Sequence, residues 1–380
     1  MKFVSAVALL VLVGLVLPLD AATAGATSSS ATHGALYYLG IAGGLALFGA
    51  TLSTIHPTYL DFMAALDPND RVAAVIESMN QTNEVLDDAV VIEGNLLTGH
   101  QSVVRTGIPA PTWRKLYGGV QPSKSTRVKI TDDCGMLENY SEIDKALADL
   151  NGNAAAFMAS EHMAVLEGFN QEVASTLFYG NSGTEPEAFT GIAPRFNLTT
   201  AENGDHIILG GSADTDNTSI YLVVWGRNSA HLFYPKGSKG GFQVDDKKQV
   251  TIENIDGNGG RMEAYRTHFR WDVGFALPDW RQIVRIANIE VSALTGDAAS
   301  GAKLIDLMTQ ALEMVQSLTA GRPAFYVNRT IKAFLRRQTV AKVAGSTLAM
   351  EDIAGKPVLT FGGVPVRRTD AIVNNEALVA

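Results

Sequence analysis

Residues 94–130 constrain this chain more than any other stretch. They run for 37 residues without helical periodicity and without a single acidic side chain. Pro109, Pro111 and Pro122 cannot donate a backbone hydrogen bond and hold their own φ near −65°. Gly94, Gly99, Gly107, Gly118 and Gly119 punctuate the rest. Residues 126–130 then alternate as Thr, Arg, Val, Lys and Ile, the period of a strand. Six cations lie on this segment: Arg105, Arg114, Lys115, Lys124, Arg127 and Lys129, with Glu93 as the nearest acid. A lone two-stranded projection of this length is marginal in water. It therefore implies a surface to lie on, in this chain or in another copy.

That local excess of positive charge sits in an acidic chain. The 380 residues carry 30 Lys and Arg against 39 Asp and Glu, a formal net charge of −9. Such a balance argues against affinity built on coating phosphates. Residues 1–52 contain no charges but Lys2 and Asp20. An apolar run from Phe3 leads to Ala22, Thr23 and Ala24, the small-residue pattern of a signal-peptide cleavage site. A second uncharged stretch, residues 34–52, approaches the ~20 residues that a membrane-spanning helix needs. The leader reads as a secretory signal, an anchor, or an upstream frame joined at a mis-assigned start.

The body that follows is mixed α+β, with no alternating βαβ order to suggest a doubly wound sheet. Val72, Val75, Ile76 and Met79 predict a helix over residues 71–87. Ser141, Glu142 and Asp144 have the form of a capping box, predicting a helix from about 142. After a break at Asn151, Gly152 and Asn153, apolar residues from Phe157 to Leu177 recur at three- and four-residue steps and predict a long helix over 153–179. Residues 220–225 read as a buried strand, and residues 265–277 alternate as a second. Leu304 to Leu318 predict a helix closed by Gly321 and Pro323. Asn328 is positioned as the N-cap of a basic helix over 329–338. Gly362 and Gly363 between Phe361 and Val364 predict a hairpin turn.

No catalytic constellation emerges. The seven histidines offer no pair at metal-ligand spacing on one helix face, and His268 reads as a surface or interface side chain on an alternating strand. Cys134 follows Asp132 and Asp133, neighbours that raise a thiol pKa, so a passive thiol is expected. Residues 237–241 lack the Gly-Lys-Ser/Thr of a phosphate loop and read as a turn. Asp214, Asp216 and Asn217 lack the Gly and distal Glu of a calcium loop. Neither a cofactor nor enzymatic activity is expected.

The order of several short motifs resembles the major capsid proteins of tailed bacteriophages, particularly the podovirus type, with the Hong Kong 97 capsid fold. The residues that carry it are 52–61 with His56, Pro57 and Tyr59; 177–181 with Tyr179 and Gly180; and 189–197 with Pro194 and Arg195. Trp225 and Gly226 leading to residues 234–238 continue it, followed by residues 280–288 and by Tyr326, Asn328 and Arg329. The resemblance covers residues 52–380. It implies an α+β Hong Kong 97-like fold and a subunit that self-assembles into an icosahedral head enclosing double-stranded DNA. It further implies an N-terminal arm and helix at 53–93, an extended E-loop at 94–135 and a P-domain with a spine helix at 136–190. A β-rich A-domain at 191–300 and a return to the P-domain with a terminal hairpin at 301–380 complete it. Arg105, Trp113, Arg114, Lys115, Lys124, Arg127 and Lys129 become interface residues of the E-loop. The partners implied are further copies of the chain in hexamers and pentamers, together with scaffold, portal and decoration proteins and packaged DNA bound without sequence preference. Assembly in the host cytoplasm is implied too. Capsid proteins carry no secretory signal, so the leader departs from the pattern. An exported or membrane-anchored β-rich binding protein, or an encapsulin-like shell, are the competing readings.

Overall fold

The structure, a computed structural model, describes residues 81–380 apart from 152–153, 212–214, 254–258, 297, 342–347 and 354–355. The leader and most of the helix expected over 71–87 lie outside the described residues. The described end of that segment is not helical at 81–84. Asn83 instead forms a bridge with Thr369, and the Glu84 amide donates to the Arg368 carbonyl.

A single helical turn, α1 (Val85–Asp88), precedes β1 (Val91–Glu93), β2 (Gly99–Gly107) and β3 (Thr126–Asp144). The turn α2 (Lys145–Ala148) and the long helix α3 (Ala154–Tyr179) follow. Next come β4 (Ile207–Leu209), β5 (Asn217–Trp225), β6 (His231–Tyr234), β7 (Gln243–Glu253), β8 (Arg261–Ala276) and β9 (Ile283–Glu290). Helices α4 (Val291–Gly296) and α5 (Ala298–Met314) lead to β10 (Arg322–Val327), α6 (Arg329–Ala341), β11 (Leu348–Ile353), β12 (Lys356–Phe361) and β13 (Val364–Arg368).

These strands form two sheets. One has the order β1-β6-β8-β3-β2, with β7 also paired to β8; the other runs β11-β12-β13-β10-β5-β9-β4. Both sheets cut across the sequence blocks drawn above. Strands β6 to β8 lie with β3, whereas β10 to β13 complete the sheet of β5 and β9.

Strand β5 is buried along its whole length, and its period of two divides it between two cores. Tyr221, Val223 and Trp225 join Phe178, Leu177 and Val173 of α3 in one. Ile220, Leu222 and Val224 join Leu304 and Met308 of α5 and Ile331 and Leu335 of α6 in the other. A strand covered on both faces reads as a continuous apolar run, as this one does. Each fully buried Val, Leu or Ile contributes roughly 1.5–3 kcal/mol.

Two expected helix signals fail because tertiary pairing overrides them. Ser141, Glu142 and Asp144 do not form a capping box. They end β3, where Ser141 and Glu142 pair with Thr267 and Arg266 of β8. Glu142 there meets the Arg266 guanidinium at 2.5 Å. The cap belongs to Asp144 alone, whose carboxylate accepts from the Ala146 amide at 2.8 Å. Gly321 and Pro323 likewise do not close α5, which ends at Met314. Gly321 passes so close to β5 that a Cβ would lie 2.1 Å from the Trp225 carbonyl. Pro323 enters β10 opposite Val224, before β13 joins on the other side at Phe325. A proline is tolerated there because its missing N–H faces no partner strand.

Other expectations hold. Helix α3 spans 26 residues, about 39 Å. Asn328 caps α6 by accepting from the Ile331 amide at 2.8 Å. Gly362 and Gly363, at φ 57° and 79°, make the turn with two left-handed residues that tight hairpins prefer. No described helix is long and apolar enough to cross a membrane.

The C-terminal tail then folds back over the sheet. The Glu376 amide donates to the Asn217 carbonyl, and Val379 exchanges hydrogen bonds with the Asn288 side chain at 3.0 and 2.8 Å. The Ala380 carbonyl accepts from the Thr199 amide and hydroxyl, both at 2.9 Å. Beneath this tail, Glu376 meets Arg285 at 2.7 Å, their side chains 4% and 5% exposed. Tyr179 at the end of α3 donates to the same carboxylate at 2.5 Å, and the Ser219 hydroxyl donates as well. Burial first, and then its neighbours Tyr221 and Glu376, push the Tyr179 pKa well up, so it remains a donor.

Candidate assembly interface

Strands β2 and β3 build an antiparallel arm, in register from Gly99 opposite Asp133 to Gly107 opposite Thr126, with an irregularity between Arg105 and Gly107. Its base is fastened to the body: the Gly94 amide donates to the Tyr234 carbonyl at 2.8 Å and the Lys236 amide to that of Leu96 at 3.0 Å. β3 continues past the arm into the ladder with β8. There Glu138 lies opposite Arg270 and Tyr140 opposite His268, whose rings stack at 4.4 Å. His268 also meets Glu138 at 3.2 Å. It is thus a half-buried member of a cross-strand polar ladder rather than a free surface side chain.

All seven expected interface residues lie on the arm, and all are exposed. Arg105 and Arg127 are direct partners across the ladder, an arrangement of like charges that is unfavourable in an isolated hairpin. None of the six cations forms an ion pair among the described residues. Trp113 is 102% exposed. Beside it are three apolar residues that the sequence reading did not single out: Ile108, Leu116 and Tyr117, at 85%, 83% and 100%. They were detectable as large apolar side chains among prolines and glycines, with no periodicity to bury them. Tyr117 also adopts φ 62° in a turn closed by the Gly118 amide on the Lys115 carbonyl. A left-handed tyrosine costs roughly 1–2 kcal/mol, and such strain collects at functional sites. A soluble monomer rarely exposes apolar groups this densely.

The same chain carries a surface of opposite character. Alongside α3 and β3 runs a groove of about 370 Å³ floored by Leu137, Val173 and Phe189 and rimmed by Glu172, Glu185 and Glu187. A neighbouring hollow adds Glu138 and Glu161.

Burial, then the Asp272 carboxylate, pushes the Cys134 thiol up to about 12. The thiol is passive as expected, but the cause is not the adjoining Asp132 and Asp133. Gly237 and Gly241 take φ 81° and 85° in a turn. Asp216 accepts from the Ser292 amide at 2.8 Å, whereas Asp214 lies outside the described residues. Among the described residues, no three His, Cys, Asp or Glu side chains gather as a metal site.

A family model described as Major capsid protein GP7 matches residues 67–380. Among solved structures, a chain of the near-atomic structure of bacteriophage Epsilon15 is 39% identical, with a TM-score of 0.68. That match covers 87% of this chain and 99% of the phage chain. The bacteriophage JBD30 capsid matches at 13% identity and a TM-score of 0.44, covering 86% and 98%. No curated protein matches.

Proposed function

The chain belongs to the Major capsid protein GP7 family, and from that membership we propose that its basic hairpin is the arm by which each subunit of a phage head clasps the next. The family and the Epsilon15 likeness make it a shell-forming major capsid protein of the virion, with an α+β Hong Kong 97-like fold. They favour this over an exported binding protein or an encapsulin-like shell.

One observation carries the arm's assignment: Arg105 and Arg127 oppose each other with no counter-charge, on a projection that ends in fully exposed Trp113 and Tyr117. We assign residues 94–135 with the arm as the E-loop, residues 136–190 with α3 as the P-domain and residues 191–300 as the A-domain, with residues 301–380 returning to the P-domain and ending in the hairpin. The arm's partner is the acid-rimmed groove of a neighbouring copy, where Trp113 and Leu116 bury apolar surface and Arg114 and Lys115 meet glutamates. Trp, Tyr and Arg are the side chains that dominate interface energetics, and heterologous contacts of this kind close rings and shells. The acidic body suits a container that holds DNA without sequence-specific binding and does not hinder its entry or release. Scaffold, portal and decoration proteins are its further partners, and the host cytoplasm is the place of assembly.

If opposed charges guide the arm, assembly is salt-sensitive, because the Debye length falls from about 10 Å at 0.1 M to about 3 Å at 1 M salt. Light scattering of purified subunits should show assembly slowing by at least tenfold across that range, through the loss of electrostatic steering. A rate indifferent to salt contradicts the charge-guided arm.

A further inference from the structure

Beneath the base of the arm lies a cleft of about 710 Å³, walled by β2 on one side and by the segments around Arg227 and Trp280 on the other. At its inner end His100 of β2 meets His231 of β6 edge to face, ring centroids 5.2 Å apart. Phe233 lies against His100 at 5.5 Å. His231 is wholly buried. Neither of its ring nitrogens makes a well-formed hydrogen bond, the Gly226 backbone being the polar group at hand, and Nδ1 of His100 makes none. Buried polar groups are almost always partnered, so this pair calls for an explanation.

One carboxylate faces the pair: on β3, Asp132 lies opposite His100 and draws that ring's pKa up, with Oδ1 bound by Arg195 at 2.8 Å and Oδ2 buried without a partner. Asp133 lies opposite Gly99. Arg227 turns its positive charge on both rings. On β1, Glu93 accepts from the Gly237 amide. Across the cleft Asp279 is paired with Arg281 at 2.8 Å. β8 contributes Gly274, Phe275 and Ala276 beside β6.

We propose that the His100–His231 contact is an acid-sensitive fastening for the arm: protonating the pair separates β2 from β6 and lets the arm swing out over the cleft. Asp132, shared with Arg195, can serve at most one of the two rings, so the pair does not hold two adjoining cations, and the cleft provides the path by which lifting β2 brings water to His231. Burial draws both rings below the ordinary histidine range: at His100 the Asp132 carboxylate opposes it and Arg227 adds to it, while His231 is brought to about 4, with His100 adding, the Gly226 backbone offsetting part and Arg227 adding again. The fastened state holds neutral rings. Its stability is therefore full above the free-histidine value of 6.5 and is lost as pH falls towards 4. The proposal concerns the arm's own attachment and stands whatever the arm clasps.

Hydrogen exchange on the intact chain, corrected for intrinsic rates, tests it. Lowering the pH from 7.5 to 5 should speed opening at the Gly94 and Lys236 amides, which tie the base of the arm to the body, about 30-fold from the His231 shift alone, while β5 and β9 keep their protection. In His231→Phe the acceleration disappears. Equal acceleration in that variant, or none in the wild type, overturns the proposal. Ring titration by NMR in the wild type is a second readout that needs no variant: His231 titrating below pH 5 supports the fastening, and titration at pH 5 or above overturns it.

Discussion

Reversing Arg114 and Arg127 to glutamate together yields a folded subunit that does not close into shells. Both side chains are exposed and form no ion pair among the described residues, so stability should stay within about 0.5 kcal/mol of wild type. The Arg127→Glu change would even relieve the repulsion with Arg105 across the ladder. Assembly is a different matter. The reversed Arg114 would face the glutamates rimming the groove on the next copy, where juxtaposed like charges cost several kcal/mol per contact, and the reversed Arg127 removes a further positive charge from the arm. That penalty recurs at every subunit. Circular dichroism and thermal melts should match wild type, while electron microscopy finds no closed particles. Trp113→Ala separates packing from charge: loss of a buried aromatic anchor costs about 2–4 kcal/mol at an interface and nothing in the free chain. Normal shells from the double reversal refute a charge-registered arm.

Glu376→Ala should destabilise the subunit by about 3–5 kcal/mol, because it leaves the Arg285 guanidinium buried without its counter-ion. The substitution also orphans the Tyr179 and Ser219 hydroxyls, which converge on that carboxylate. The ion pair itself is not the source of the effect. Replacing a whole buried pair by apolar side chains is often neutral, so Arg285→Met with Glu376→Leu should recover part of the loss. Recovery stays partial because Arg285 also donates to the Phe196 carbonyl at 2.8 Å and the Ala193 carbonyl at 3.3 Å. Urea unfolding reads both variants: the midpoint moves at constant slope if the native state alone is weakened. A Glu376→Ala midpoint equal to wild type shows that the tail is an ornament to the fold rather than its clamp.

This clamp also shows what the sequence does not display. Arg285 stands in an apolar run and Glu376 in a polar tail, 91 positions apart, and nothing local links them. The features that were legible depend on neighbours in the chain: the Asn328 cap, the paired glycines at 362 and 363, the long periodic helix and the two-faced strand β5. The misreadings share one cause. Ser141 and Glu142 carry a sound helix-start signal, yet they continue a strand whose partner, β8, lies more than 120 positions away. Gly321 and Pro323 look like helix punctuation, yet Gly321 is required by its close approach to Trp225 of β5 and Pro323 is tolerated where β10 begins. At the interface, residue types alone revealed the six cations and Trp113. Only the register reveals that Arg105 stands opposite Arg127, and only the backbone reveals that Tyr117 is strained.

Imaging the assembled protein by cryo-electron microscopy tests the shell-subunit reading most directly. Closed icosahedral particles are expected, with density for residues 108–125 lying on the adjoining subunit beside Glu172, Glu185 and Glu187. Monomers that never assemble, or shells whose arm tips point into solvent with Trp113 uncovered, would contradict it.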